Sequence, residues 1–195
     1  MLRRSPSRRG ILSASLALAA GGTLASGLTP RKARAAGEGR PEGLDKLRES
    51  EPRPVPEISF TDADGTPHGL AGFAGRGVVI NLWATWCAPC VAEMPALDRM
   101  QAALEAEGIV VLALSSDRGG RAPVEAFYRR VGISRLGIWL DPRGAAQRAL
   151  GVRGLPTSVI LDREGRERAR LEGAAAWDAP ELMAEVRRLT GPAPG

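Results

Sequence analysis

The chain has 195 residues, 44% of them hydrophobic, which is enough for one domain with a substantial buried core. Seven of its 27 basic residues and none of its 22 acidic residues lie in positions 1–35, so the net charge of +5 arises there. The remaining 20 basic and 22 acidic residues leave the rest of the chain slightly acidic, which argues against a nucleic-acid partner.

Residues 1–35 have the features of an export signal. A basic start is followed by an apolar run at 11–28 and by a small-x-small cleavage pattern at 33–35. Arg8 and Arg9 stand in a segment that resembles a twin-arginine export motif. The alternative is an uncleaved membrane anchor, since the apolar run is near the lower limit of about 17 residues for a spanning helix. Cleavage is favoured, and both interpretations place the domain in the periplasm, outside the bacterial inner membrane.

Residues 36–55 are rich in proline, glycine and charged residues and contain almost no large apolar side chains. Such a segment buries too little surface to offset the entropy lost on ordering. We therefore predict a flexible linker over 36–55 and a folded domain over 56–191.

From residue 57 onward, strand and helix patterns alternate. An N-terminal β-hairpin is predicted at 58–61 and 68–70, around a turn signal. The run at 78–83 is apolar throughout, which is typical of a central strand buried on both faces. The later predicted elements are a helix at 88–107, a strand at 109–114, a helix with apolar positions 124, 127, 128 and 131, a strand at 138–140, a helix at 145–150, strands at 158–161 and 169–171, and a helix with Leu182, Val186 and Leu189 on one face.

This alternation predicts an α/β fold. Helices that separate buried strands imply right-handed crossovers and therefore a mainly parallel central sheet. The last two strands are joined by a turn signal at 162–165, so the sheet is expected to end in an antiparallel pair.

The residues with a chemical signature are Cys87 and Cys90, which follow the apolar strand directly. A cysteine at a helix N-terminus is surrounded by unpaired N–H groups and the positive end of the helix dipole, which favour its thiolate. Cys87 is therefore the expected nucleophile. Cys90 lies one turn further on the same face, where it can attack a mixed disulfide and release a reduced substrate.

Other interpretations of this pair are weaker. A structural disulfide that closes so short a loop would constrain the unfolded chain little. A zinc site would need four ligands, and the chain has two cysteines and one histidine, His68. His68 stands on the predicted hairpin, far from the pair in sequence, and we interpret it as a bystander. We predict no metal and no cofactor besides the redox-active cysteine pair.

Several segments resemble the TlpA branch of the exported thioredoxin-like reductases. The resemblance is carried by residues 79–90 with Trp86-Cys87-Ala88-Pro89-Cys90, continues through 93–97, and returns at 150–158, 160–162 and 173–177. It covers about residues 55–191. It implies a thioredoxin-like fold with a central mixed sheet flanked by helices, and a strand-helix insertion of about 25 residues relative to thioredoxin.

The resemblance also implies roles for individual residues. Pro156 aligns with the cis-proline of the family, which leaves the Leu155 backbone free to pair with an extended substrate. Glu93 aligns with an acidic residue that tunes the pKa of the thiols and relays a proton, although an ordinary solvated helix residue is an equal alternative. Asn81 replaces the buried aspartate of thioredoxin. Trp86 is expected to serve partly in packing and partly in substrate docking.

The leading functional hypothesis is reduction of disulfides in exported proteins, with electrons from a membrane-embedded thiol donor. The resemblance points to cytochrome c or copper-oxidase maturation. A disulfide-forming oxidant, a thiol peroxidase and a non-enzymatic copper chaperone are the alternatives. A peroxidase usually has threonine three residues before its cysteine, where this chain has Ala84. A copper chaperone usually has a histidine as third ligand, and the histidine of this chain, His68, is distant from the cysteine pair. The Ala88-Pro89 dipeptide favours a potential of roughly −200 to −270 mV, on the reducing side.

Overall fold

The apolar run predicted as a central strand forms β4, Gly77–Trp83, in which every residue is buried. The structure is a computed structural model, and it describes residues 40–192. The other strands are β1 Leu47–Pro54, β2 Ser59–Thr61, β3 Pro67–Gly69, β5 Ile109–Ser115, β6 Trp139–Leu140, β7 Thr157–Leu161 and β8 Arg166–Glu172. The α-helices are α1 Ala88–Leu104, α2 Arg121–Val131, α3 Ala145–Ala149 and α4 Pro180–Thr190, and 3-10 helices cover Leu44–Lys46, Leu70–Phe73 and Glu105–Glu107.

Within residues 40–192, the strands form one eight-stranded sheet in the order β1-β8-β7-β4-β5-β6-β2-β3. β4, β5 and β6 are parallel, with Leu82 opposite Leu114 between the first two. β7 pairs with the other edge of β4 and runs antiparallel to it, with Thr157 opposite Leu82. The mixed sheet, the flanking helices and the N-terminal hairpin are confirmed, but the expectation of a mainly parallel sheet is wrong.

The connections between the strands explain why the sheet is not mainly parallel. Only β4, β5 and β6 are linked by the helical crossovers α1 and α2, which parallel pairing requires. The pairs β2–β3 and β7–β8 are joined by short turns and are therefore antiparallel. The α2 helix and the β6 strand form the predicted insertion.

The predicted linker is wrong for its described part from Leu44 onward. β1 pairs with β8 from Leu47 opposite Leu171 to Pro54 opposite Arg166. An edge strand gains its stability from backbone hydrogen bonds along one side, so it needs few buried side chains and tolerates proline. The polar composition of this segment is that of an edge strand, and ion pairs such as Arg53 Nη2 to Glu167 Oε1, 2.6 Å, hold it to β8.

The segment before β1 also packs on the domain. The N–H of Ala176 donates a hydrogen bond to the carbonyl of Glu42 at 2.9 Å. Gly43 has a φ of +89°, and a Cβ at this position would lie 2.3 Å from the Cβ of Ala175. A side chain is excluded there, so the folded domain begins well before residue 56.

The core lies on both faces of the sheet. The first face is covered by α1, α2 and α4 and contains the fully buried indoles of Trp83 and Trp177. The second includes Ile80 and Leu82 of β4, Phe60 of β2 and Ala146 of α3. Each fully buried side chain of this size contributes about 1.5–3 kcal/mol relative to an exposed one. Both layers clamp β4, which fixes the position of the residues that follow it.

Residues 1–35 lie outside the described part of the chain, so the export signal stays a prediction. No helix within residues 40–192 is long and apolar enough to span a membrane.

Candidate active site

Cys87 and Cys90 are joined in a disulfide at the start of α1. Cys87 is the N-cap residue, Ala88 and Pro89 form the first turn, and no side chain caps the helix. The unpaired N–H groups and the dipole of α1 therefore face the Cys87 end of the pair. Cys87 retains 7% of its exposure, whereas Cys90 is fully enclosed. Of the two cysteines, Cys87 is the one that keeps accessible surface.

The peptide bond between Leu155 and Pro156 is cis, as the resemblance implied. Thr157 pairs with Leu82, so this bond lies at the same end of β4 as the cysteine pair. Among residues 40–192, the backbone N–H and carbonyl of Leu155 have no hydrogen-bond partner. Leu155 thus offers a backbone edge that an extended peptide can pair with.

Glu93 lies one turn beyond Cys90 and is buried, with 4% of its surface exposed, so the alternative of a solvated helix residue is wrong. Its Oε1 accepts a hydrogen bond from Asn81 Nδ2 at 2.8 Å. Its Oε2 accepts bonds from the N–H of Ala175 at 3.0 Å and from Trp177 Nε1 at 2.9 Å. Burial raises the pKa of Glu93 from 4.5 to about 7, and the three donors oppose this rise without cancelling it.

Asn81 connects this carboxylate to the neighbouring strand. It is fully buried in β4, and its Nδ2 also lies 3.0 Å from Ser158 Oγ in β7. Asn81, which aligns with the aspartate of thioredoxin, therefore donates to Glu93 through its side-chain N–H. Its side-chain oxygen Oδ1 is left without a donor in residues 40–192.

Sequence reasoning missed the partners of Glu93. Trp177 is part of the buried core, and its indole N–H is one of the donors to the carboxylate. A buried tryptophan usually places this N–H against an acceptor, and that tendency was the available signal. The same segment reaches the cis-proline, since the N–H of Gly173 donates to the carbonyl of Pro156 at 2.9 Å.

Asp117 was also missed, and it fixes the loop before Cys87. Its carboxylate is buried and accepts hydrogen bonds from the N–H of Thr85 at 2.9 Å and the hydroxyl of Thr85 at 2.6 Å. Ser115 Oγ donates a third bond at 2.8 Å. The end of β5 thereby holds the Thr85–Trp86 turn in place.

Trp86 is the most exposed large apolar side chain in residues 40–192, with 71% of its surface accessible. Little of the residue is therefore packed against the domain, and most of it is available as a surface. It borders a groove of about 700 Å³, and a second groove of about 430 Å³ is lined by Leu155 and Pro156.

His68 is not part of this site. Its Nε2 lies 2.9 Å from Asp62 Oδ2 at the hairpin edge of the sheet. In the described part of the chain, no three His, Cys, Asp or Glu side chains are grouped closely enough to hold a metal ion.

Comparisons with known proteins identify the family of this chain. Residues 51–184, about two thirds of the chain, match the Redoxin family. The chain belongs to the Redoxin family. The match begins inside β1, in agreement with the earlier start of the domain.

Relatives of this chain are named thiol-disulfide oxidoreductases. The thiol-disulfide oxidoreductase ResA of Bacillus thuringiensis subsp. konkukian is 31% identical over 136 residues, which cover 70% of this chain and 76% of the relative. ResA of Geobacillus thermodenitrificans is 31% identical over 119 residues, 61% of this chain and 67% of that protein. Together with the Cys87–Cys90 disulfide, these relationships identify the chain as a thiol-disulfide oxidoreductase.

Solved structures support the fold. The crystal structure of a DsbE thiol:disulfide interchange protein from Chlorobium tepidum has a TM-score of 0.65 and 27% identity, covering 73% of this chain and 99% of that one. A secreted thiol-disulfide isomerase from Corynebacterium glutamicum has a TM-score of 0.61 at 23% identity, covering 72% of this chain and 91% of that one. The predicted thioredoxin-like fold is confirmed.

Proposed function

We propose that this oxidoreductase reduces disulfides in exported proteins on the extracytoplasmic side of the bacterial inner membrane. The observation that carries the proposal is the redox pair at the start of α1, of which only Cys87 is accessible, at the same end of the sheet as the unpaired Leu155 backbone. A slightly accessible Cys87 and a fully enclosed Cys90 suit a stepwise exchange with a protein substrate.

The reaction begins with both cysteines reduced. The Cys87 thiolate attacks one sulfur of the substrate disulfide, and the other substrate sulfur leaves as a thiolate that takes up a proton. Cys90 then loses its proton and attacks Cys87 Sγ, which forms the Cys87–Cys90 disulfide and releases the second substrate thiol. Two electrons have passed from the pair to the substrate.

Three residues are proposed to hold the substrate during the exchange. The backbone of Leu155 pairs with an extended substrate segment, as in strand addition. Pro156 presents no N–H that would compete, and the exposed indole of Trp86 provides an apolar contact on the other side.

Glu93 is proposed to assist Cys90. The two residues are three positions apart and share a face of α1. A buried carboxyl with a pKa of about 7 can accept a proton near neutral pH, when Cys90 must release one.

The resemblance to the TlpA branch supports two finer parts of the proposal. The substrates are apoproteins of cytochrome c or copper-oxidase maturation, and a membrane-embedded thiol donor regenerates the dithiol.

Export depends on the leader, so changing Arg8 and Arg9 to lysine should leave precursor in the cytoplasm. Normal export of that variant would refute the twin-arginine interpretation.

The direct test is a mixed-disulfide trap. Cys90→Ser cannot resolve the first intermediate, so it should accumulate in covalent complexes with exported proteins through Cys87, and mass spectrometry would name the partners. Cys87→Ser is the matched control and should form none. Equal yields from both variants would contradict the assigned roles.

The direction of electron flow is tested by redox equilibration against glutathione or dithiothreitol. A reductase should show a potential of roughly −200 to −270 mV. A value above about −150 mV would favour the oxidant instead.

A further inference from the structure

The groove beside Trp86 is strongly basic. It has a volume of about 700 Å³ and is built by the loops after β4, β5 and β6. Its other lining residues are Ser116, Arg118, Pro142, Arg143, Gly144, Gln147 and Arg148. Trp86 immediately precedes Cys87 in the chain, so one wall of the groove is formed by the neighbour of the nucleophilic cysteine.

The three arginines in this groove have no carboxylate partner within residues 40–192, although Arg148 Nη1 donates a hydrogen bond to the carbonyl of Arg143 at 2.6 Å. Within residues 40–192, no carboxylate oxygen lies within 4.0 Å of a nitrogen of Arg118, Arg143 or Arg148. All three are exposed. Arginines elsewhere on the surface are commonly paired, as in the contact of Arg187 with Glu107 at 2.8 Å.

Two acidic residues stand near these arginines in sequence, but their carboxylates are used elsewhere. Asp117 holds Thr85, as described above. Asp141 is buried and accepts hydrogen bonds from the N–H groups of Ala145 at 2.7 Å and Gln147 at 3.1 Å. Within residues 40–192, neither carboxylate therefore forms an ion pair with an arginine of the groove.

We propose that this groove binds an acidic segment of the substrate protein, next to the cysteine that Cys87 attacks. The inference rests on the proposed reductase function and names its substrate class. Arginine binds carboxylates through paired N–H donors, and three unpaired arginines are complementary to a short run of Asp or Glu.

A protein segment fits this site better than an anionic membrane. The charges line a recess between three loops, which a peptide can enter, whereas a bilayer presents its headgroups as a surface. Trp86 borders the same recess and adds an apolar wall for the peptide backbone or an adjacent side chain.

The test uses three disulfide-linked peptide dimers that differ only in the residues flanking the cysteine: aspartates, asparagines or lysines. The reduced full chain is mixed with each peptide, and the second-order rate of reduction is measured. Each rate is divided by the rate for dithiothreitol, because flanking charges also change the intrinsic reactivity of the disulfide. At low salt, the normalised rate for the acidic peptide should exceed that for the neutral one about tenfold. At about 1 M salt, the ratio should fall toward one.

The variants are Arg118→Gln, Arg143→Gln and Arg148→Gln, singly and combined. Each should lower the ratio of acidic to neutral rates, and the triple variant should bring it close to one. The matched control is Arg76→Gln, since Arg76 is exposed, is unpaired within residues 40–192 and precedes β4 at the opposite end of the strand. It should keep the wild-type ratio. Thermal unfolding of all variants verifies that they fold.

The outcomes separate this inference from the proposed function. If no peptide is reduced, the reductase function itself fails. If all peptides are reduced at equal normalised rates, reduction stands and the acidic-segment inference is overturned. Equal rates combined with sedimentation on phosphatidylglycerol vesicles that the triple variant loses would assign the groove to the membrane surface instead.

Discussion

Replacing Glu93 with glutamine should change the pH dependence of stability and leave the fold intact. Glutamine has nearly the same shape, and its carbonyl can keep the bonds from Ala175 and Trp177. Its amide group then faces Asn81, whose Oδ1 is unpaired in the described structure and can accept once the Asn81 amide rotates. No buried donor of this network is left facing another donor.

The magnitude follows from the raised pKa. Folding moves the pKa of Glu93 from 4.5 to about 7, so the folded state binds this proton more tightly than the unfolded state. The proton therefore stabilises the fold fully below pH 4.5, and this contribution is lost as the pH rises through about 7. The whole difference corresponds to roughly 3 kcal/mol, of which about 2 kcal/mol falls between pH 5 and pH 8.

The assay is urea unfolding of the oxidised wild type and of Glu93→Gln at pH 5 and pH 8. The cysteines do not titrate in the disulfide, and every other titratable group is common to both proteins, so their contributions cancel in the difference. The variant should gain about 2 kcal/mol relative to wild type between the two pH values. A difference that is the same at both would refute the raised pKa. Glu93→Ala is the contrast, because it leaves three buried donors unpaired and should destabilise at both pH values by about 3 kcal/mol.

Three further predictions follow from the site and the fold. In the reduced protein at neutral pH, alkylation should label Cys87 well before Cys90, and peptide mapping that finds the reverse order would exchange their roles. Asp117→Ala should lower the free energy of unfolding by about 2 kcal/mol in urea, since it frees the bonds to Thr85, whereas Asp117→Asn, which keeps an acceptor, should lower it less. A chain that starts at residue 56 should be less stable and more prone to aggregation than one that starts at residue 40, because it exposes the β8 edge; equal stability would restore the linker interpretation.

The sequence predicted best what depends on local patterns. The fully apolar run at β4 has no other reasonable interpretation than a central strand. Cys87 follows shortly after this strand, and this position located the redox site. The helical spacing of positions 124, 127, 128 and 131 likewise predicted the buried face of α2, although Val131 at the end of the helix is exposed.

It failed where stability comes from partners far along the chain. β1 has the composition of a linker, and only its backbone pairing with β8, more than 110 residues away, makes it a strand. The burial of Glu93 depends on Ala175 and Trp177, which no periodicity on α1 reveals. The arginine groove is likewise assembled from three separate loops, so no segment of sequence shows its charge.

The position of Glu93 bears on the direction of electron flow. A strong oxidant needs a heavily stabilised thiolate, which makes its reduced form the favoured one. Here a buried carboxyl on the same helix face as Cys90 becomes negative near neutral pH, and a like charge in a poorly solvated region opposes the formation of a thiolate. The α1 N-terminus acts in the opposite sense, but mainly on Cys87, which lies at its end. The two sulfurs therefore experience different fields, with the attacking thiolate favoured and the enclosed one disfavoured. Glu93 therefore gives the dithiol no added stability through Cys90, which removes part of what a strong oxidant requires, while the α1 N-terminus acts in the opposite sense through Cys87.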